Sequence, residues 1–129
     1  MKIKVPHSVR VGPQVYKISY KEKVYQTANP DGGKEEITGA CQQGLNLIEI
    51  STTENYDKRL LFSTVFHEFC HAMFYVSGQA ERLIDDGAQE EGLVIMLESY
   101  LESVIDWKHP MWGDWKLVEL TPKKLEEVI

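Results

Sequence analysis

Three residues of this chain have the types and spacing for metal chemistry: His67, Glu68 and His71, within His67-Glu68-Phe69-Cys70-His71. On a helix, residues four apart share a face, so both imidazoles can reach one ion. Glu68, about 100° round the axis, can still reach a water beside that ion. Zinc in catalytic sites takes three protein ligands and a water whose pKa it lowers to about 7, and a neighbouring carboxylate then serves as general base. The pentapeptide is short enough to arise by chance, so the elements around it must decide.

Those elements are helical. Ser51-Thr52-Thr53-Glu54 has the form of a capping box, with Asn55 and Asp57 as competing N-caps, so a helix is expected to start within residues 52 to 58. Leu60, Leu61, Val65, Phe69, Ala72, Met73 and Val76 carry the helical spacing through the histidines, and Gly78 supplies a C-terminal stop. Phe62, Phe66, Phe74 and Tyr75 make this helix apolar on most sides. A polar triplet inside such a helix is costly unless its groups are hydrogen-bonded or ligated, and a shared metal supplies the reason.

A second long helix is expected from about residue 89 to 106, with Leu93, Val94, Leu97, Tyr100, Leu101, Val104 and Ile105 in one stripe. At about 100° per residue the stripe centres within roughly 20° of Glu90, with Glu91 near its edge and Glu98 close to Glu91. Glu90 therefore points inward, either as helix-dipole decoration near the helix start or as a third metal ligand, with Glu91 as its main competitor for the ligand role. His109, before Pro110, is a further alternative. Cys70 lies on another side of the helix and reads as a small buried hydrophobe. His7 carries no signal.

The N-terminal half reads as strands. Ser8-Val9-Arg10-Val11, a Gly12-Pro13 turn and the alternating run from Gln14 to Tyr20 form a hairpin. Residues 28 to 34 are a loop, and residues 37 to 41 and 45 to 50 are two further strands. The fold class is accordingly α+β: an N-terminal antiparallel sheet of three to four strands packed on the histidine helix and a second long helix, in one domain spanning residues 1–129. Trp107, Trp112 and Trp115 read as packing residues, and Thr121-Pro122 as the start of a short final helix.

Length and composition set the outer bounds. The 129 residues suit one domain, and hydrophobic and charged contents of 43% and 26% are ordinary for a globular chain. Lys and Arg number 14 against 20 Asp and Glu, a net charge of −6, which argues against a nucleic-acid partner. No apolar run is long enough to span a membrane, and no hydrophobic segment follows the first lysines, so neither a membrane location nor a secretory signal is expected. The expected compartment is the cytoplasm, where Cys41 and Cys70 would be free thiols.

With His67, Glu68 and His71 on a central helix and Glu90 opening a second one, the chain resembles the small zincin-type metallopeptidases. More narrowly, it is similar to the ImmA/IrrE-like metallo-endopeptidases and to short metallopeptidase-like proteins of bacteriophages. The likeness covers roughly residues 37 to 105, and Leu93, Val94 and Leu97 stand where that group carries small or apolar residues. It implies a zincin-like fold and one Zn2+ held by His67, His71 and Glu90. It implies Glu68 as the catalytic acid/base of a zinc metallopeptidase, an endopeptidase, and a peptide or protein as substrate. A non-catalytic, zinc-containing protein-binding module of phage type is the alternative. Tyr75, Arg82, Tyr100 and His109 are expectations for stabilising the oxyanion, and one of the strands before the histidine helix is expected to hold an extended peptide.

Overall fold

The computed structural model of the chain describes residues 1–27, 33–78 and 87–121. In chain order the elements are β1 (Lys2–Val5), β2 (Ser8–Val11), β3 (Gln14–Lys21), β4 (Val24–Thr27), β5 (Lys34–Ile37), β6 (Gly39–Gln42) and β7 (Leu47–Ser51). Then come α1 (Lys58–Val76), α2 (Gly87–Leu101), β8 (Trp112–Gly113) and β9 (Lys116–Glu119). The class is α+β.

The main sheet differs from the expected one. It has five strands in the order β6-β7-β3-β2-β8, and β3 and β7 run parallel, so it is mixed rather than antiparallel. The β2–β3 hairpin forms as its alternation and turn dictate, with Gly12 at φ +58 leading the turn. A second antiparallel pair, β6–β7, lies across the sheet. The two pairs join because Ile18 pairs with Ile48 and Tyr20 with Ile50, which puts the buried Tyr16, Ile18, Ile48 and Ile50 in one apolar layer. Residues 22 to 46 form the long return that a parallel connection requires. Two short ribbons, β1–β9 and β4–β5, complete the strands.

The tryptophan segment also differs from expectation. Beyond packing, it supplies strands: Trp112 is buried and pairs with Val9 at the edge of the main sheet, and β9 pairs with β1. The strand expected over 37 to 41 is broken at Thr38 into β5 and β6. The final helix expected after Thr121, and the tip of the loop at 28 to 32, lie outside the described residues.

Helix α1 begins at Lys58 because Asp57, in an extended conformation, accepts the Leu60 amide at 2.8 Å. It ends where Gly78 takes up φ +80. Leu61, Val65 and Ala72 pack on the sheet, while Phe66 and Cys70 meet Val94 of α2. Helix α2 stops at Leu101, short of the expected 106, and passes into a 3-10 turn at Glu102–Val104.

One buried side chain ties the start of α1 to the sheet. Asn55 donates to the carbonyls of Ser51 (2.7 Å) and Thr38 (3.0 Å) and accepts from the Thr64 hydroxyl (2.6 Å). It thereby holds the β5–β6 corner against the second turn of the helix. Asn55→Ala leaves these buried groups unpaired, and stability is expected to fall by about 2–3 kcal/mol. Urea unfolding checks this: the midpoint falls while the slope of the transition stays as in the parent.

Candidate metal centre

The sheet-facing stripe of α1 runs through Leu61, Val65, Glu68 and Ala72, so Glu68 occupies a core position. It is 6% exposed, and its Oε2 is buried without a hydrogen-bond partner. Burial pushes its carboxyl above the usual range, although His71 and His67 pull the other way. A carboxylate in the middle of an apolar stripe with an unanswered oxygen is destabilising unless a further group meets it.

His67 and His71 emerge one turn apart, their rings 5.1 Å between centroids. Each is held between two carboxylates of α2. Nδ1 of His67 stands 2.8 Å from Glu98 Oε2, and Nδ1 of His71 2.7 Å from Glu90 Oε1. The opposite nitrogens meet a single carboxylate: Nε2 of His67 lies 2.8 Å from Glu91 Oε1 and Nε2 of His71 2.9 Å from Glu91 Oε2. Burial lowers the pKa of His67, but its hydrogen bond to Glu98 and the charges of Glu68, Glu91 and Glu98 outweigh that and raise it.

The geometry brings together His67, Glu68 and His71, as their spacing predicts, and it places both Glu90 and Glu91 against the histidines, on different ring nitrogens. Glu90 does point inward, yet its carboxylate reaches the Nδ1 side of His71, away from the pair of Nε2 atoms. The carboxylate shared by both imidazoles belongs to Glu91. Tyr100 and Val104, which draw the sequence stripe away from Glu91, are 77% and 71% exposed. The inward axis of α2 passes instead through the fully buried Val94, about 40° from Glu90 towards Glu91. Glu98, two turns beyond Glu91 on the same face, was not assigned a role from the sequence. Its seven-residue spacing from Glu91 is the signal that places it there.

A metal ion suits the donor set. Ligand atoms of His67, His71 and Glu91 all lie within 4.8 Å of one another, a span one ion with bonds of about 2 Å can bridge. The two Nδ1 contacts to Glu90 and Glu98 have the form of the carboxylate–histidine–metal arrangement, which fixes ring orientation and leaves the other nitrogen to ligate. Both Nε2 atoms face oxygens of the Glu91 carboxylate, and a cation seated there would draw on both nitrogens and on that carboxylate.

The centre lies on the wall of a cleft of about 640 Å³. Across from the histidines runs β6, the end strand of the main sheet, with Thr38, Gly39, Ala40 and Cys41 along the cleft. Gly39 is required by close approach: a Cβ there would stand 2.9 Å from Thr64 Cγ2, 3.0 Å from the Glu49 carbonyl oxygen and 3.3 Å from Glu68 Cγ. Cys41 and Cys70 are free thiols, and burial pushes both up to about 12. Of the residues expected to stabilise an oxyanion, Tyr75 and Tyr100 are exposed and do not line the cleft. His109 accepts the Met111 amide in the tryptophan segment, away from the cleft. Arg82 lies outside the described residues. Among the described residues, no helix is long and apolar enough to cross a membrane.

No protein-family model, curated protein or solved structure matches the chain.

Glu68 supplies a test of this site in the metal-free protein. Burial holds its carboxyl above the ordinary carboxylate value of about 4.5, so the folded state keeps its proton to higher pH than the unfolded chain does. Stability from this group is complete below about pH 4.5 and is lost as pH rises through the raised value. Glu68→Gln removes that dependence. Metal-free Glu68→Gln is expected to exceed the metal-free parent in stability at neutral pH, by about 1 kcal/mol. The gap should close on acidification; urea titrations across the pH range measure it.

Proposed function

We infer that the chain is a zinc-dependent peptidase of zincin-like build, with His67, His71 and Glu91 as ligands and Glu68 as general acid/base. The observation that carries this reading is the unpartnered, buried Oε2 of Glu68, on the helix whose two histidines direct their Nε2 atoms at one carboxylate. A metal serving structure alone has no use for such an oxygen.

Bound between these three side chains, zinc would polarise a scissile carbonyl and bring the pKa of a water to about 7. The remaining work falls to the chain itself. Glu90 and Glu98 hold the Nδ1–H of His71 and His67, which orients both rings and keeps their Nε2 lone pairs directed at the centre. Glu68 accepts the proton of the attacking water and returns it to the leaving amine nitrogen. Its burial raises its proton affinity, which suits both halves of that exchange. The free edge of β6 offers main-chain groups to an extended peptide lying in the cleft, so the strand acts as a template for the substrate backbone.

Two experiments test the reading. Purified without chelator, the chain is expected to carry one zinc per molecule. Glu91→Gln should weaken zinc binding by more than about 100-fold, whereas Glu90→Gln and Glu98→Gln should each cost roughly 10- to 100-fold. Competition with a chelating dye measures this, and the expected order fails if Glu90→Gln proves the most damaging. In the second, a library of quenched fluorescent peptides is offered to the zinc-loaded chain and to Glu68→Gln. Turnover should fall by at least about 1,000-fold in the variant, with zinc still bound. Zinc bound with no turnover by the parent would instead favour a non-catalytic binding module.

A further inference from the structure

At the other end of α1 the surface has a different character. A groove of about 880 Å³ opens there, floored by Phe62, Trp107 and Trp115. Its floor is preassembled: the Phe62 and Trp107 rings meet edge-on at 4.7 Å, Phe62 and Trp115 stack at 6.3 Å, and Trp115 Nε1 donates to the Trp112 carbonyl. Four cations line it, Lys4, Lys58, Arg59 and Lys108, against one acid, Glu102. In a chain of net charge −6, this is a local reversal of sign.

These cations do not serve the fold. Among the described residues none of the four makes an ion pair. Lys58 and Arg59 stand in the first turn of α1, where the helix dipole disfavours positive charge. Lys58 lies 5.9 Å above the Phe62 ring, so one charge is already directed over the aromatic floor.

The occupant can be narrowed by shape. A second hollow of about 590 Å³ shares Arg59, Glu102 and Trp107 with the groove, and it reaches Glu98, the partner of His67. The two hollows thus adjoin along Arg59, Glu102 and Trp107, which makes a trough of the groove and its neighbour. Phosphate sites draw on free backbone amides at a helix start, but here the Asp57 carboxylate already takes the Leu60 amide. An anionic membrane is a poorer match, because the aromatic rings are half-buried in a concavity rather than raised above the surface. Separate cations spaced along an aromatic trough suit separate carboxylates spaced along a chain.

We propose that this trough binds an acidic polypeptide segment, with an aromatic or large apolar side chain seated on Phe62, Trp107 and Trp115 and flanking Asp or Glu residues paired with Lys4, Lys58, Arg59 and Lys108. The binding does not depend on hydrolysis at the metal centre.

Tryptophan fluorescence reads the groove, since two of the three tryptophans in the chain wall it. The probe is a short synthetic peptide of phenylalanines flanked by glutamates, added to the full chain carrying Glu68→Gln, with zinc content measured alongside. A saturable fluorescence change is expected, weakening as salt is raised. The double variant Lys58→Glu, Arg59→Glu should bind at least about tenfold more weakly with zinc content unchanged. Lys108→Glu, outside the helices, provides an independent second variant. Absence of a saturable change, equal binding by both charge-reversed variants, or equal binding of a lysine-substituted peptide overturns the proposal. So does preferential binding of ATP or of phosphatidylglycerol vesicles. Zinc loss without loss of peptide binding would count against the metal centre alone.

Discussion

The structure turns on an excess of negative charge between two helices. Glu68 of α1 and Glu90, Glu91 and Glu98 of α2 surround His67 and His71. Four acids thus stand against two imidazoles, and burial raises the proton affinity of one of the four, Glu68. The apolar contact that must hold α2 against this repulsion is small: Phe66, Cys70 and Val94 are its buried members. On the proposed reading, a divalent cation at the Nε2 face would answer these acids and fasten α2 to α1 in one step. On this reading the metal is part of the fold as well as of the chemistry.

The cluster also explains why α2 has so little pattern of its own. Its inward face is given over to glutamates, with Val94 fully buried, while Ile95, Met96, Tyr100 and Leu101 are exposed. A helix apolar on its outer side and acidic on its inner side inverts the usual arrangement, and its sequence stripe points only loosely at the core. This is why the phase of α2 could tell that a glutamate faces the histidines but not which one reaches both Nε2 atoms. Glu90 and Glu91 differ by one residue, about 100° of rotation, and the exposed Tyr100 and Val104 draw the stripe away from Glu91, the carboxylate that meets both Nε2 atoms.

Local signals were legible elsewhere for the same physical reason they failed here. The 67–71 spacing, the Asp57 cap, the Gly78 stop and the β2–β3 hairpin each depend on neighbours within a few residues. The parallel β3–β7 pair joins Lys17 to Leu47 across a long return, and the pairing of β1 and β2 with strands near the other end of the chain joins Lys2 to Glu119 and Ser8 to Gly113. Nothing in Trp112-Gly113 or in Lys116 to Glu119 marks them as strands until Val9 and Ile3 are there to receive them. The sheet was therefore underestimated in size and misjudged in direction, although its core residues were recognisable by alternation.

Gly39 joins the two halves of the molecule at the cleft. Without a side chain there, β6 can lie against Thr64 and the Glu68 stem, which brings the end strand of the main sheet and the Glu68 side chain to the same hollow. Any larger residue has to move the strand, the helix or Glu68, because two of the three nearest atoms belong to the branched Thr64 and to the backbone of Glu49. The Asn55 hydrogen bonds, from Thr38 beside Gly39 to Thr64 on the helix, hold that same approach from the polar side. A packed glycine and a saturated asparagine thus fix the distance between a strand edge and a buried acid. On the proposed reading, a site for extended peptides would need that distance fixed, because the carboxylate would have to stay in place while the backbone of the substrate is aligned beside it.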